Sequence, residues 1–241
     1  MSFALHKQLA QTLPDIPRWV ETRSMLLSGR AQLFGLNEDD DRSYVVRSTE
    51  SGLASVVGVP EKSVIKDALG LDKEIEAVLA SVESLDHVSE ALPDWTACPA
   101  SLHLPGQDAV SLANTSKIVR LLSKDELEAV RILPHDLRDE LTAASRYSPL
   151  AGVIVDGTPV SFCYAAAQTE TLWDISIDTL QEYRNQGYGA AAVTFLIDHM
   201  KKLGKKPVWG AEDSNIPSLR LAARLGFVIV DKLLVFKRLG V

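Results

Sequence analysis

The stretch YRNQGYGAAAVTFLIDHM, residues 183–200, sets Arg184 and two closely spaced glycines, Gly187 and Gly189, ahead of a run patterned as an amphipathic helix. A helix N-terminus exposes main-chain N–H groups that lack an intrahelical acceptor and carries the positive end of the helix dipole, so it attracts anions. Side chains there would keep a phosphate at a distance. Gly187 and Gly189 let a diphosphate approach the backbone, and Arg184 places a cation beside it. A glycine-rich turn that only starts a helix fits the same spacing, so the surrounding elements must decide. Neither of two other phosphate cradles is present: there is no GxGxxG in a parallel βαβ unit and no GxxxxGK followed by Ser or Thr.

Other reactive residue types are sparse. The five histidines are scattered and none has a spacing such as HExxH, so no metal is expected. Cys98 and Cys163 cannot build a disulfide framework or a Cys-rich zinc site. Cys163 sits among apolar strand residues with no recognisable His partner, and it is expected to be a small buried hydrophobe.

Hydrophobic residues make up 46% of the 241 and charged residues 24%, enough for one large core or two small ones. The start, MSFALHKQLAQTLPD, has no basic segment followed by a long apolar stretch, and no apolar run approaches the roughly 20 residues of a membrane span. The expectation is a cytoplasmic protein with no membrane partner. Residues 1–112 carry 9 Lys+Arg against 17 Asp+Glu, whereas residues 113–241 carry 16 against 15. The acidic half argues against nucleic acid as a partner and suits a cationic ligand, although a solvated acidic face has the same composition.

The elements that must position these residues fall into two sets. In the N-terminal half a helix is expected around Ile16 to Ser28, followed by AQLFGL and two β-rich runs, YVVRS and LASVVG. Pro60 opens the helical PEKSVIKDAL, and KEIEAVLASV continues a helical pattern. The proline-rich LPDWTACPASLHLP then reads as extended or irregular. Small polar residues from Gly106 to Ser116 place a boundary near residue 113, giving domains 1–112 and 113–241. In the second set, SKIVRLL reads as a strand, and Ser123 with Glu126 has capping-box spacing for a helix running through Arg131. Another helix follows Pro134. Asp156-Gly157 marks a hairpin turn among two or three antiparallel strands. The helix from about Tyr188 to Leu203 ends at Gly204, KPVWGA is a short strand, NIPSLRLAARLG is a helix closed by Gly226, and FVIVDKLLVFKRL supplies two last strands.

YRNQGYGA resembles the Arg/Gln-x-x-Gly-x-Gly/Ala loop of the GNAT superfamily of N-acetyltransferases. NIPSLRLAARLGF resembles that superfamily's second signature, in which Asn and a small residue precede a helix ending Leu-Gly-Phe. The pair is more specific than either part, and it covers about residues 115–241. The resemblance implies an α+β class: a GNAT-type fold with a mixed, mostly antiparallel central sheet flanked by helices, beside a smaller α/β N-terminal domain. It implies acetyl-CoA, or another acyl-CoA, as co-substrate. Main-chain groups of Ile177, Asp178 and Thr179 would pair with the pantetheine arm. Asn185, Gln186, Gly187, Tyr188, Gly189 and Ala190 would cradle the diphosphate beside Arg184. Asn215 and Ser218 would meet the pantetheine or phosphate from the second helix, and Arg220 and Arg224 either reach the 3′-phosphate or form a solvated basic face.

The same resemblance implies direct attack of an amine on the thioester, with a carboxylate or water taking its proton and a tyrosine often protonating the thiolate. This chain departs from the pattern: Ala222 stands where that tyrosine is often found, and Gly210 where some members have a glutamate. Strand alternation in WDISIDT puts Asp174, Ser176 and Asp178 on one face, so Asp174 is the first choice for the base and Glu212 the second. Tyr164 and Tyr188 are further possible donors. The expected activity is acetyl transfer to a primary amine of a small molecule in a ternary complex, the N-terminal half, a reduced GNAT-like or otherwise mixed α/β half without a CoA loop, walling the acceptor side. The alternatives are a non-catalytic CoA-binding sensor or partner-docking module, and a protein N-terminal or lysine acetyltransferase. The acceptor and the oligomeric state stay open.

Overall fold

The computed structural model describes residues 3–36, 42–70, 75–107, 118–130 and 133–238. Two compact units divide the chain: Met1–His103 with Gly210–Arg220 and Ile229–Val241, and Leu104–Trp209 with Leu221–Val228. The expected boundary near residue 113 lies outside the described residues.

The first unit holds helices α1 (Phe3–Thr12) and α2 (Val20–Ser28), strands β1 (Ala31–Phe34), β2 (Tyr44–Ser48) and β3 (Leu53–Val57), helix α3 (Lys62–Leu69), strand β4 (Ala77–Ser81), helix α4 (Leu85–Ala91) and most of strand β5 (Trp95–Pro105). All five residues of YVVRS are buried because helices cover both faces of the sheet. Tyr44 and Val46 pack with Leu9, Ala10 and Leu26 of α1 and α2, whereas Val45 packs with Ile65, Ala68 and Val88 of α3 and α4. Successive strand residues point to opposite faces, so a doubly covered strand reads as a continuous apolar run. Arg47 on β2 is buried as well, and its guanidinium donates to the Ala68 carbonyl at the end of α3 (3.2 Å).

Two expectations fail in this unit. KEIEAVLASV was expected to be helical, but Ala77–Ser81 is strand β4, parallel to β3 through Leu53↔Ala77 and Ser55↔Leu79. Val78 and Ala80 are buried and Leu79 only partly, but the run is apolar at successive positions, so its sequence shows neither period clearly and its pairing partners decide its conformation. FVIVDKLLVFKRL was expected to make two strands, but it is one 12-residue strand, Phe227–Arg238. Asp231 interrupts nothing: Arg18 grips it through Nε to Oδ2 (2.9 Å) and Nη2 to Oδ1 (2.6 Å), and reaches Glu83 with Nη1.

The second unit continues with strand β6 (Ile118–Leu121), helices α5 (Lys124–Ala129) and α6 (His135–Ala144), strands β7 (Leu150–Val155), β8 (Thr158–Gln168) and β9 (Leu172–Thr179), and helix α7 (Tyr188–Lys202). Strand β10 (Lys206–Glu212), helix α8 (Ile216–Arg224) and strand β11 (Phe227–Arg238, the long strand above) contribute residues to both units. In the first unit β11 pairs antiparallel with β4, Phe236 opposite Val78. In the second, β6, β7, β8 and β9 pair antiparallel in sequence, and β9 pairs parallel with β10. This is the expected mixed, mostly antiparallel sheet. Ser123 caps α5 reciprocally with Glu126, as its spacing predicted. The helix expected to run through Arg131 ends at Ala129, because Val130 is already extended (φ −77°, ψ 94°); Arg131 itself lies outside the described residues. One face of the sheet carries Phe162 and Tyr164 against α5 and α6. Helix α7 packs against the same sheet and buries Ala190, Ala191, Val193, Leu196 and Met200.

Phe236 is fully buried between β4 and the helices of the first unit, so Phe236→Ala should cost about 3–5 kcal/mol in urea unfolding. The hydrogen bonds from Arg18 hold the Asp231 carboxyl below the usual carboxylate range. Its stabilisation is therefore complete above the unfolded Asp value of about 4 and is lost as pH falls through the lower folded value. Asp231→Asn should flatten the acid limb of stability measured against pH.

Candidate acyl-CoA site

The parallel ladder of β9 with β10 runs from Leu172↔Lys206 to Asp174↔Val208 and ends there. Beyond Asp174, residues Ile175 to Thr179 of β9 continue along β8. This is the strand segment whose main chain was expected to meet the pantetheine arm, and the chain leaves it directly into the glycine loop. Arg184 donates from Nε to the Thr179 carbonyl (3.0 Å), and Gln186 donates from Nε2 to the Glu182 carbonyl (3.1 Å). These two bonds close the loop on itself. They leave the Nη groups of Arg184 without an acceptor among the described residues.

Asn185 (φ 60°) and Gly187 (φ 76°) both have left-handed backbone, which turns the chain sharply into α7, with Gly187 as its N-cap. Left-handed residues two apart gather backbone N–H groups into a concave, anion-attracting surface, here at a helix N-terminus. Gly187 is needed for its φ. Gly189 is closely packed: a Cβ there would lie 2.9 Å from the terminal methyl of Ile177, which would have to shift, and 3.5 Å from Thr179 Oγ1. The fold thus brings Ile177, Asp178 and Thr179 together with Arg184, Asn185, Gln186, Gly187, Tyr188, Gly189 and Ala190 inside one unit. Tyr188 packs beside Tyr183 at the edge of the core under α6, ring centroids 6.2 Å apart.

The remaining candidates come from other stretches of the sequence. Asn215 and Ser218 belong to the first unit, where Asn215 Oδ1 accepts from the Ser218 main-chain N–H (3.2 Å) and so caps the start of α8. Glu212, also in the first unit, is ion-paired with Lys237. Asp174 is half-buried on β9, opposite the point where the β8 register shifts between Ala165 and Gln168. The expected alternation is seen from Trp173 to Ser176, with Trp173 and Ile175 buried and Asp174 and Ser176 partly exposed, but Ile177 is partly exposed like Asp178 beside it. Burial pushes the Cys163 thiol well above its ordinary value, so it is a packed side chain and no nucleophile.

Sequence reasoning missed Glu140. It projects from α6 and accepts a hydrogen bond at Oε1 from the Tyr164 hydroxyl, across 24 residues of sequence. Tyr164 stands opposite Ser176 in the β8–β9 ladder, and Phe162 opposite Asp178. Burial, reinforced by the Glu140 charge and opposed by Arg184, raises the Asp178 carboxyl. Nothing in the amphipathic pattern of α6 singles out Glu140; only its meeting with Tyr164 does.

Residues 115–227 match the model of the acetyltransferase (GNAT) family. That segment is a GNAT acetyltransferase domain. The GNAT fold also recurs in solved structures along nearly the whole chain. A GCN5-related N-acetyltransferase-like protein from Streptococcus suis is similar at 16% identity, TM-score 0.70, over 98% of each chain. An acetyltransferase of the GNAT family from Colwellia psychrerythraea is similar at 16% identity, TM-score 0.61, over 99% of this chain and 98% of its own. A tandem GNAT protein of the clavulanic acid biosynthesis pathway is similar at 10% identity, TM-score 0.55, over 80% and 77%. No curated protein matches the chain. Acetyl-CoA is the usual donor in the GNAT family. Among the described residues no group of three or more His, Cys, Asp or Glu side chains is arranged to hold a metal ion, and no helix is long and apolar enough to cross a membrane.

Replacing Gly187 by Ala forces a side chain into left-handed backbone and should lower stability by about 1–2 kcal/mol in denaturant unfolding.

Proposed function

We propose that this protein transfers an acetyl group from acetyl-CoA to a primary amine of a small molecule, by direct attack within a ternary complex. The observation that carries the proposal is the loop between β9 and α7: left-handed Asn185 and Gly187, the side-chain-free approach at Gly189, and the Arg184 Nη groups form a diphosphate cradle at the end of an extended strand segment. A diphosphate there meets first-turn N–H groups and the helix dipole, while the pantetheine arm runs antiparallel or parallel along Ile177–Thr179 with main-chain hydrogen bonds. The thioester then lies toward Ser176 and Asp174, on the strand whose polar face carries carboxylates. Carboxylates suit an acceptor that arrives as an ammonium ion and must lose a proton before it attacks. A reducing cytoplasm suits the two free cysteines.

Calorimetry of acetyl-CoA binding tests the donor half of this reading. The wild type should bind at micromolar strength, and the double substitution Gly187→Glu with Gly189→Glu should abolish binding through bulk and negative charge, with the fold intact by circular dichroism. A screen of primary amines that follows CoA release tests the acceptor half. Binding without turnover of any amine would favour a CoA-binding sensor, and turnover of peptides alone would favour a protein acetyltransferase.

A further inference from the structure

The hydroxyl of a nearly buried tyrosine needs partners, and beside Ser176 Tyr164 uses one that is unusual for a packing residue. Tyr164 is 3% exposed, and its neighbour two positions earlier on the same face of β8, Phe162, fills the same core with no hydroxyl at all. The hydroxyl of Tyr164 reaches out of that core to the carboxylate of Glu140, a residue that is itself exposed on α6. The buried ring therefore fixes one oxygen of a solvent-facing carboxylate. The other oxygen, Oε2, has no hydrogen-bond partner among the described residues. Across the ladder from Tyr164 stands Ser176, one residue before the segment Ile177–Thr179, and on the same face of β9 lies Asp178. Burial raises the Asp178 carboxyl, and the Glu140 charge adds to that rise. Asp174, by contrast, sits beside the register shift of β8 and opposite Val208, at the last pair of the β9–β10 ladder.

We propose that Glu140 is the general base of the transfer reaction and that Tyr164 is its positioning residue. This rests on the acetyl-CoA-dependent transfer proposed above. An acceptor ammonium ion gives one proton to Glu140 Oε2, and the nitrogen lone pair so released attacks the thioester carbonyl carbon. The C–N bond forms, the C–S bond breaks and its electron pair leaves on sulfur. The second proton shed by nitrogen as the amide forms neutralises the thiolate, and Glu140 returns its proton to water. Tyr164 holds the carboxylate over the Ser176 end of β9 and takes no part in bond making.

The test compares wild type, Glu140→Gln, Tyr164→Phe and Asp174→Asn in CoA release from acetyl-CoA, with two kinds of nucleophile at neutral pH: a panel of primary alkylamines, which arrive protonated, and hydroxylamine, which does not. Acetyl-CoA binding is followed by calorimetry and folding by thermal melting. Glu140→Gln should lower kcat with alkylamines by about 100-fold or more, the usual weight of general base catalysis, and change hydroxylamine turnover by only a few-fold. Tyr164→Phe should lower alkylamine kcat by about 10-fold, with acetyl-CoA affinity and the KM for acetyl-CoA unchanged. Equal losses with both nucleophiles, unchanged alkylamine turnover in Glu140→Gln, or a selective alkylamine defect in Asp174→Asn alone would overturn the assignment. Acetyl-CoA binding by wild type without turnover of either nucleophile would overturn it together with the transferase reading, and no acetyl-CoA binding at all would overturn the donor reading as well.

Discussion

The turn from β9 into α7 demands left-handed backbone at two positions within three residues, Asn185 and Gly187, and the rest of the C-terminal unit is arranged around it. After the short 3-10 turn Gln181–Tyr183, this turn brings the chain into the N-terminus of α7, whose first N–H groups lack intrahelical acceptors. Glycine meets the cost at Gly187 without strain, and asparagine is among the side-chain-bearing residues that tolerate the left-handed region best. Arg184 then ties the turn to the last carbonyl of the strand. The helix in turn packs against the sheet, burying three consecutive alanines near its start and then Val193, Leu196 and Met200.

Packing also explains why polar residues survive on a sheet that is otherwise well covered. One face of β8 and β9 carries Cys163, Trp173 and Ile175, all buried. The other carries Asp174, Ser176 and Asp178, and the β8 residue Tyr164 there is buried but bonded to a carboxylate. A buried hydroxyl and a half-buried carboxyl both cost free energy unless partners compensate them, so their retention on one face marks a surface shaped for something other than packing. The first unit shows the contrasting case. There both faces of β2 are covered by helices, and the buried Arg47 is used up in capping the end of α3.

Legibility in the sequence followed the range of the physics. The glycine loop was readable because left-handed backbone and close approach restrict residue choice at single positions, and the Ser123–Glu126 capping box because both partners lie within one turn. The hairpin at Asp156-Gly157 was local in the same sense, and Asp156 has left-handed backbone at that turn. By contrast Ala77–Ser81 could not be told from a helix, because its strand state depends on β3 and β11, which lie far away in sequence. The single long β11 depends on a distant meeting of the same kind, since Asp231 in its middle is held by Arg18, 213 residues away.

What the sequence determined by itself, then, is the set of conformations and contacts that short stretches impose: the turn, the caps, the alternation of β9 and the family signatures they compose. What tertiary structure alone decided is which distant side chains meet. Glu140 is one of several acidic residues on an amphipathic helix until folding sets it against the Tyr164 hydroxyl. Asn215 and Glu212 likewise acquire their partners only on folding, the first a helix start to cap and the second a lysine to pair with. Chain connectivity carries no record of such meetings, because an ion pair or hydrogen bond depends on separation in space, and separation along the chain does not fix it.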